Sequence, residues 1–330
     1  MHCESNVTAP AHISIFTATA SGLFAIIATT GNALIILAVF KDPLKKLRTP
    51  FSYFLVNLAT SDLIVGGVIL PISVYVHGME ATGYLNCTLM IAFHIIYFIA
   101  ATSSIFSLLA LCVDRYIAVA FPIKYRIYLH WKKCMCISVL IWVVSISLPF
   151  VHLKLSTVTF LMVYDHTAVL TAFIGLLVTY IRIYVLLRKQ GKSLSLAQQT
   201  SPVADNLMKK KWVNVERKVT RTFLLILMVF VVTYLPAVFI AYMLEFYNLC
   251  TENEECREWL RDIQFLLVCS NACVNPFICI LRMQNFRSSI AAMCCQSRCC
   301  KTRMSTKSEM GVANVNYIED ADQNLPEKHQ

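Results

Sequence analysis

An aspartate set in apolar sequence is the residue here with most chemical consequence. Asp62 lies inside an apolar run of about residues 50–77, flanked by Asn57, Ser61 and small residues. A carboxylate at bilayer depth is costly unless a partner, a proton or an ion compensates it. Ser104, Asn271 and Asn275, on other apolar runs, could supply oxygen ligands for a hard monovalent cation. Hydrogen bonding of a protonated carboxyl to the same amides fits equally, and the residues alone leave both readings open. A second charged group, Asp114-Arg115-Tyr116, closes another apolar run. Taken alone, an adjacent acid and base at a helix end is a solvated interfacial anchor. No nucleophile with a base, metal-ligand cluster or phosphate-binding loop is evident, so catalysis is not expected.

Seven apolar stretches must position these groups, at about residues 13–40, 50–77, 88–119, 134–152, 158–187, 219–247 and 259–281. Each is close to or above the roughly 20 residues that cross a bilayer as a helix. With 57% hydrophobic and only 15% charged residues and a mean hydropathy of +0.62, the chain could not cover itself with polar groups in water. The spacing predicts an all-α membrane protein, a seven-helix bundle over 13–283. Residues 1–12 precede it, a short amphipathic helix at 284–293 follows, and 294–330 form a polar tail. Lys41, Lys45, Lys46 and Arg48 follow segment 1, Lys124, Arg126, Lys132 and Lys133 follow segment 3, and Arg188 to Lys218 holds a third basic group. The positive-inside rule then places the amino end outside and the carboxyl end in the cytoplasm of a multi-pass plasma-membrane protein. The net charge of +10 is thus a topology signal, and a nucleic-acid surface is not expected. No cleavable signal peptide is expected either, since the polar opening lacks a basic n-region.

The fourteen cysteines divide by compartment. Cys3, Cys87, Cys250 and Cys256 fall outside, and Cys250 with Cys256 is the expected local disulfide among three possible pairings. Cys294 and Cys295 open a cytoplasmic cluster with Cys299 and Cys300 that suits palmitoylation. Asn6, in Asn6-Val7-Thr8, is a candidate glycosylation site. Residues 189–216 are expected to be a mobile connection. Phe286, Ile290 and Met293 recur at helical spacing, as an amphipathic helix on the membrane surface requires.

The order of several short signals resembles the rhodopsin-like (class A) G-protein-coupled receptors. They are Gly31-Asn32 in segment 1, Asn57-Leu58-Ala59 with Asp62 in segment 2, Asp114-Arg115-Tyr116 in segment 3 and Trp142 in segment 4. Tyr180 follows in segment 5, Phe230 with Pro236 in segment 6, and Asn275-Pro276 in segment 7. The resemblance covers residues 13–293. It implies that Arg115 pairs with Asp114, and at rest with Glu216, and meets a heterotrimeric G protein once released, with Tyr116 and Tyr180 beside it. It implies that Ile105, Phe230, Tyr234, Pro236, Asn275 and Pro276 relay activation, with segment 6 swinging outward at Pro236. It also implies a sodium site at Asp62, Ser104, Asn271 and Asn275, no other cofactor, and arrestin as a further partner.

The family pattern is broken in several places. Cys279 stands for the last tyrosine of segment 7, Tyr234 for a tryptophan, Ala172 for a proline and Met90 for a cysteine. With a very short second outer loop lacking a cysteine and no proline in segment 5 the chain resembles the melanocortin, lysolipid and cannabinoid receptors, and its Tyr180-Ile181-Arg182-Ile183 and Asn271-Ala272-Cys273-Val274-Asn275-Pro276 stretches resemble adenosine receptors, but their ligand anchors are absent. Tyr97 replaces the aspartate of amine receptors, Cys269 the retinal lysine, and Ala241 the purine-binding amide. The expected outer pocket comprises His94, Tyr97, Phe98, Tyr164, Asp165, His166, Tyr242 and Gln264, open to an extracellular small molecule, lipid or peptide. Two alternatives remain: a constitutively active or decoy variant, which the Cys279 and Tyr234 departures suggest, and a small-solute transporter, which the lack of an internal repeat disfavours.

Overall fold

A backbone in lipid must satisfy its own N–H and C=O groups, and over a long apolar run the helix does so without a partner. The computed structural model describes residues 10–82, 87–152 apart from 122, 123, 126 and 128, 173–188 apart from 176 and 187, and 204–294 apart from 248, 251 and 252. Among them the chain is helical, with no strand. In order come α1 (Ala11–Lys41), α2 (Pro50–Glu80), α3 (Cys87–Ala120), α4 (Trp131–His152) and α5 (Phe173–Leu186). Then follow α6 (Ala204–Phe246), α7 (Glu254–Arg282) and α8 (Gln284–Cys294). Six of these, α1 to α4 with α6 and α7, are long and apolar enough to span a membrane.

Two helix ends depart from expectation. The connection expected at 189–216 is helical from Ala204 onward as the start of α6, because Leu207, Met208 and Lys209 to Lys211 are good helix formers whose charges water can solvate. Helix α7 begins at Glu254, not near 259, because the Asn253 side chain accepts from Cys256 N at 3.0 Å and caps it. Glu254 and Glu255 in that first turn suit the positive end of the helix dipole. The structure pairs Cys250 with Cys256 across this cap.

Helix α1 packs on α2 and α7, α3 on α2, α4 and α6, and α7 on α6. Helix α8 folds back on α1 and α7, burying Phe286 completely, with Ile290 and Met293 against the same core. Close approach is built from small residues. A Cβ on Gly66 would sit 2.7 Å from Thr29 N, and one on Gly31 would sit 2.7 Å from Pro276 Cβ. Helix α2 contains one π-helical turn, Val65–Ile69. Large apolar side chains face outward along the spans, among them Leu140 and Val143 on α4 and Val232 and Phe239 on α6. A water-facing surface would not carry such bands, so the outer face is a lipid face and the chain is a multi-pass membrane protein. The end holding Arg115 is called inner below, and the opposite end outer.

Candidate functional site

Helix α3 threads the bundle and carries both groups singled out above. Ser103, Ser104, Ile105 and Ser107 are all buried on it, and its last turns bring Asp114 and Arg115 to the inner end.

Around Asp62 the helices converge as a cage of oxygens. Asn275 Nδ2 donates to Asp62 Oδ2 at 2.8 Å, and Ser104 Oγ to Asp62 Oδ1 at 3.5 Å. The amide oxygens of Asn271 and Asn275 are buried and find no hydrogen-bond partner among the described residues. A cavity of about 10 Å³ lies between Asp62, Ser104, Asn271, Tyr97 and Tyr234, which is room for one water-sized particle. Hard cations take oxygen ligands, and of the oxygen-bearing groups named above Asp62, Ser104 and Asn271 line this cavity, with Asn275 bonded to Asp62 beside it. Neighbouring bonds lock the cage in place. Trp142 Nε1 donates to Asn57 Oδ1 at 2.9 Å and Asn57 Nδ2 to Ser107 Oγ at 2.7 Å, tying α4, α2 and α3. Asn32 Nδ2 donates to the Ala272 carbonyl at 2.9 Å, tying α1 to α7.

At the inner end Arg115 is drawn inside the protein. Its Nε and Nη2 donate to Asp114 Oδ2 at 2.8 and 2.6 Å. The Arg115 side chain is only 3% exposed and that of Asp114 fully buried. Sequence reasoning missed Tyr125, whose hydroxyl accepts from Arg115 Nη2 at 2.9 Å and donates to Asp114 Oδ1 at 3.0 Å. The guanidinium also lies over the Phe51 ring, 4.7 Å from its centroid. A tyrosine in the connection after α3 was the only signal for this third member. Glu216 lies on α6, with its side chain outside the described residues. Tyr116 meets Phe121 edge-on, and Tyr180 packs against the inner core.

Between the two sites runs a packed core. Ile105 and Phe230 are 1% exposed, and Phe230 stacks on Tyr234 with centroids 4.2 Å apart. Cys279 is buried in the same core. Pro236 lies within α6, where it leaves the Val232 carbonyl without its helical donor, and Pro276 within α7 is buried against α1.

The outer residues are placed less uniformly. Tyr97 lines the cavity above Asp62 and packs on Phe98 and Phe265. Phe98 is 8% exposed and belongs to the core. The His94 ring nitrogen Nδ1 meets the Met90 carbonyl at 2.7 Å, Tyr242 stacks on Phe246, and Gln264 is half-buried on α7. Tyr164, Asp165 and His166 lie outside the described residues, as do Asn6 and Cys295; Cys294 ends α8.

The family pattern described as 7 transmembrane receptor (rhodopsin family) matches residues 31–278. Adenosine receptor A2b of Mus musculus is 26% identical over 301 residues, covering 81% of this chain and 86% of the relative. Adenosine receptor A2a of Homo sapiens is 24% identical over 80% of this chain and 68% of its own. Dopamine D2-like receptor of Drosophila melanogaster is 39% identical over 128 residues, which are 38% of this chain and 14% of that longer protein. A seven-helix bundle with an acid–arginine pair at the base of α3, matched over most of its length, identifies the chain as a member of the rhodopsin family of G-protein-coupled receptors and not an enzyme.

Proposed function

We propose that this receptor sits in the plasma membrane with its amino end outside and passes an extracellular signal inward by a shift between two packings of its bundle. The supporting observation is the state of Arg115, folded onto Asp114 and Tyr125 and shielded from the inner face. In the second packing Arg115 leaves this nest, α6 swings outward from Pro236, and a heterotrimeric G protein docks in the space opened, with arrestin competing for it. A ligand drives the change only by binding that packing more tightly. Its binding place is the outer half of the bundle, near His94, Tyr97, Tyr242, Gln264 and the Tyr164-Asp165-His166 run. A small molecule, lipid or peptide is the ligand class.

A sodium ion in the Asp62 cage would neutralise the buried carboxylate and brace α2, α3 and α7 in the resting packing. Asp62, Ser104, Asn271 and Asn275 would hold it.

The test is a panel of G-protein sensors in cells expressing the full chain, screened against nucleosides, lysolipids, amines and small peptides. At least one sensor responds to the wild type, and Arg115→Ala abolishes that response at equal surface level. A response that survives Arg115→Ala would overturn the proposal. Asp165→Asn tests the ligand role of that acid: an unchanged response to the agonist found removes it.

A further inference from the structure

A chain of polar side chains at the outer end joins α1, α2 and α7 and belongs to neither site above. Ser21 Oγ and Ser73 Oγ meet at 3.0 Å. His77 Nδ1 faces the Ser73 carbonyl at 2.9 Å. On the other side of the ring, His77 Nε2 lies 3.5 Å from Asp262 Oδ1, and Thr17 Oγ1 donates to Asp262 Oδ2. One turn further out, Ser14 Oγ donates to Glu80 Oε2 at 3.2 Å. The serines and threonine are fully buried, whereas His77 and Asp262 are 13% and 14% exposed. The ring is therefore enclosed by protein yet within reach of outer water.

A neutral imidazole has one N–H, and an imidazolium has two. Here both ring nitrogens face oxygens. The Ser73 carbonyl can only accept, and so can the Asp262 carboxylate when ionised. The protonated ring satisfies both at once, whereas the neutral ring that keeps its Nε2 proton turns the Nδ1 lone pair to the Ser73 carbonyl at 2.9 Å, with the Ser73 hydroxyl 3.3 Å away able to donate to it. Among the described residues, other charged groups around the ring are few. They are Glu80 on the same helix, Glu258 on α7 paired with Arg261 at 2.9 Å, and the rim pair His12 of α1 with Glu255 of α7 at 3.2 Å. The outer part of α3 offers His94, engaged with Met90.

We propose that His77 binds a proton from the outer medium, that this proton fastens α2 to α7 through Asp262, and that it thereby favours the packing described here over the open one. The link to signalling rests on the function proposed above. The lever is direct, because α2 carries Asp62 and α7 carries Asn271 and Asn275, so a clamp at the outer ends of these two helices restrains the cage further in. Its sign is fixed by which form makes the bridge. The clamp is closed at low external pH and lost as the pH rises.

The experiment uses the full chain. Basal sensor output at fixed surface level is followed from external pH of about 8 down to about 6, where histidine changes charge. The melting temperature of the purified chain in lipid nanodiscs is followed over the same range. In the wild type, output falls about threefold to tenfold with acid, the range expected of one partly exposed charged hydrogen bond, and the melting temperature rises. His77→Gln flattens both, while His12→Gln leaves both intact. If His77→Gln does not reach the surface, Asp262→Asn, which keeps the shape and removes the charge, is read in the same way. A wild-type response retained in both variants, or a wild type with no pH-dependent melting, overturns the proton site. A chain silent on every sensor but with pH-dependent melting lost in His77→Gln supports the clamp, and counts against the G-protein reading alone.

Discussion

Replacing Tyr125 by phenylalanine removes one oxygen and should wake the receptor without ligand. That oxygen bridges the ion pair, 2.9 Å from Arg115 Nη2 and 3.0 Å from Asp114 Oδ1. The ring stays, and with it the contact to the guanidinium, 5.8 Å from the centroid. Hydrogen bonds to charged groups are worth about 1.5–3 kcal/mol. The lower end applies here, since Arg115 keeps two bonds to Asp114. A loss of about 1.5 kcal/mol from the closed packing shifts the equilibrium about twelvefold. If about 1% of molecules are open at rest, about a tenth are open in the variant. Basal output therefore rises roughly tenfold, read by G-protein sensors at matched surface level. Asp114→Asn, which breaks the pair itself, serves as the reference. If Asp114→Asn raises basal output while Tyr125→Phe stays within about twofold of wild type, Tyr125 is not part of what holds Arg115 back.

Other consequences follow from packing and charge. In nanodiscs, exchanging an organic cation for sodium should raise the melting temperature of the wild type and leave Asp62→Asn unchanged; an equal rise in both excludes a cation at the cage. Gly66→Ala places a methyl 2.7 Å from the Thr29 backbone nitrogen, overpacking worth about 1–3 kcal/mol, and should lower the melting temperature by about 2–8 °C. Gly78→Ala, with nothing within 4 Å of the added Cβ, is the control and should melt as wild type does or slightly higher, since alanine is the better helix former. Trp142→Phe removes the 2.9 Å bond to Asn57. Such bonds between membrane helices contribute about 0.6–1.7 kcal/mol, so a small loss of thermal stability is expected, and an unchanged melting temperature would show that the bond carries no stability.

The spans were legible because lipid allows so few solutions: an apolar run of this length has to be a helix, and its hydropathy marks it. Helix ends were less so. The sequence turns polar at Ala204 and Glu254, so hydropathy is silent there and capping and propensity decide. Asp62 stood out because a carboxylate among apolar residues demands a partner, but which of the many hydroxyl and amide side chains of the apolar runs reach it, Ser104 and Asn275, shows only in the fold. Tyr125 did not stand out, because a tyrosine in a polar connection carries no anomaly until the chain folds back under α3. His77 and Asp262 were hidden differently. Both sit near the ends of apolar runs, where a charged residue needs no explanation, and only the geometry shows them facing each other. The Arg115 nest shows the limit of a motif: three consecutive residues named two of its members, and the third came from ten residues on.

The π turn at Val65–Ile69 gives α2 a place of slack. Such a turn holds one residue more than an α turn does. Deleting a residue there would let the helix tighten to ordinary pitch with its two halves still facing as before. The same deletion anywhere else along α2 would swing everything beyond it by about 100°, carrying Ser73 and His77 away from their neighbours or Asp62 away from its cage. Helix α2 can therefore change length by one residue at this point alone, so shortened variants of the receptor that still function should have lost their residue within these five positions.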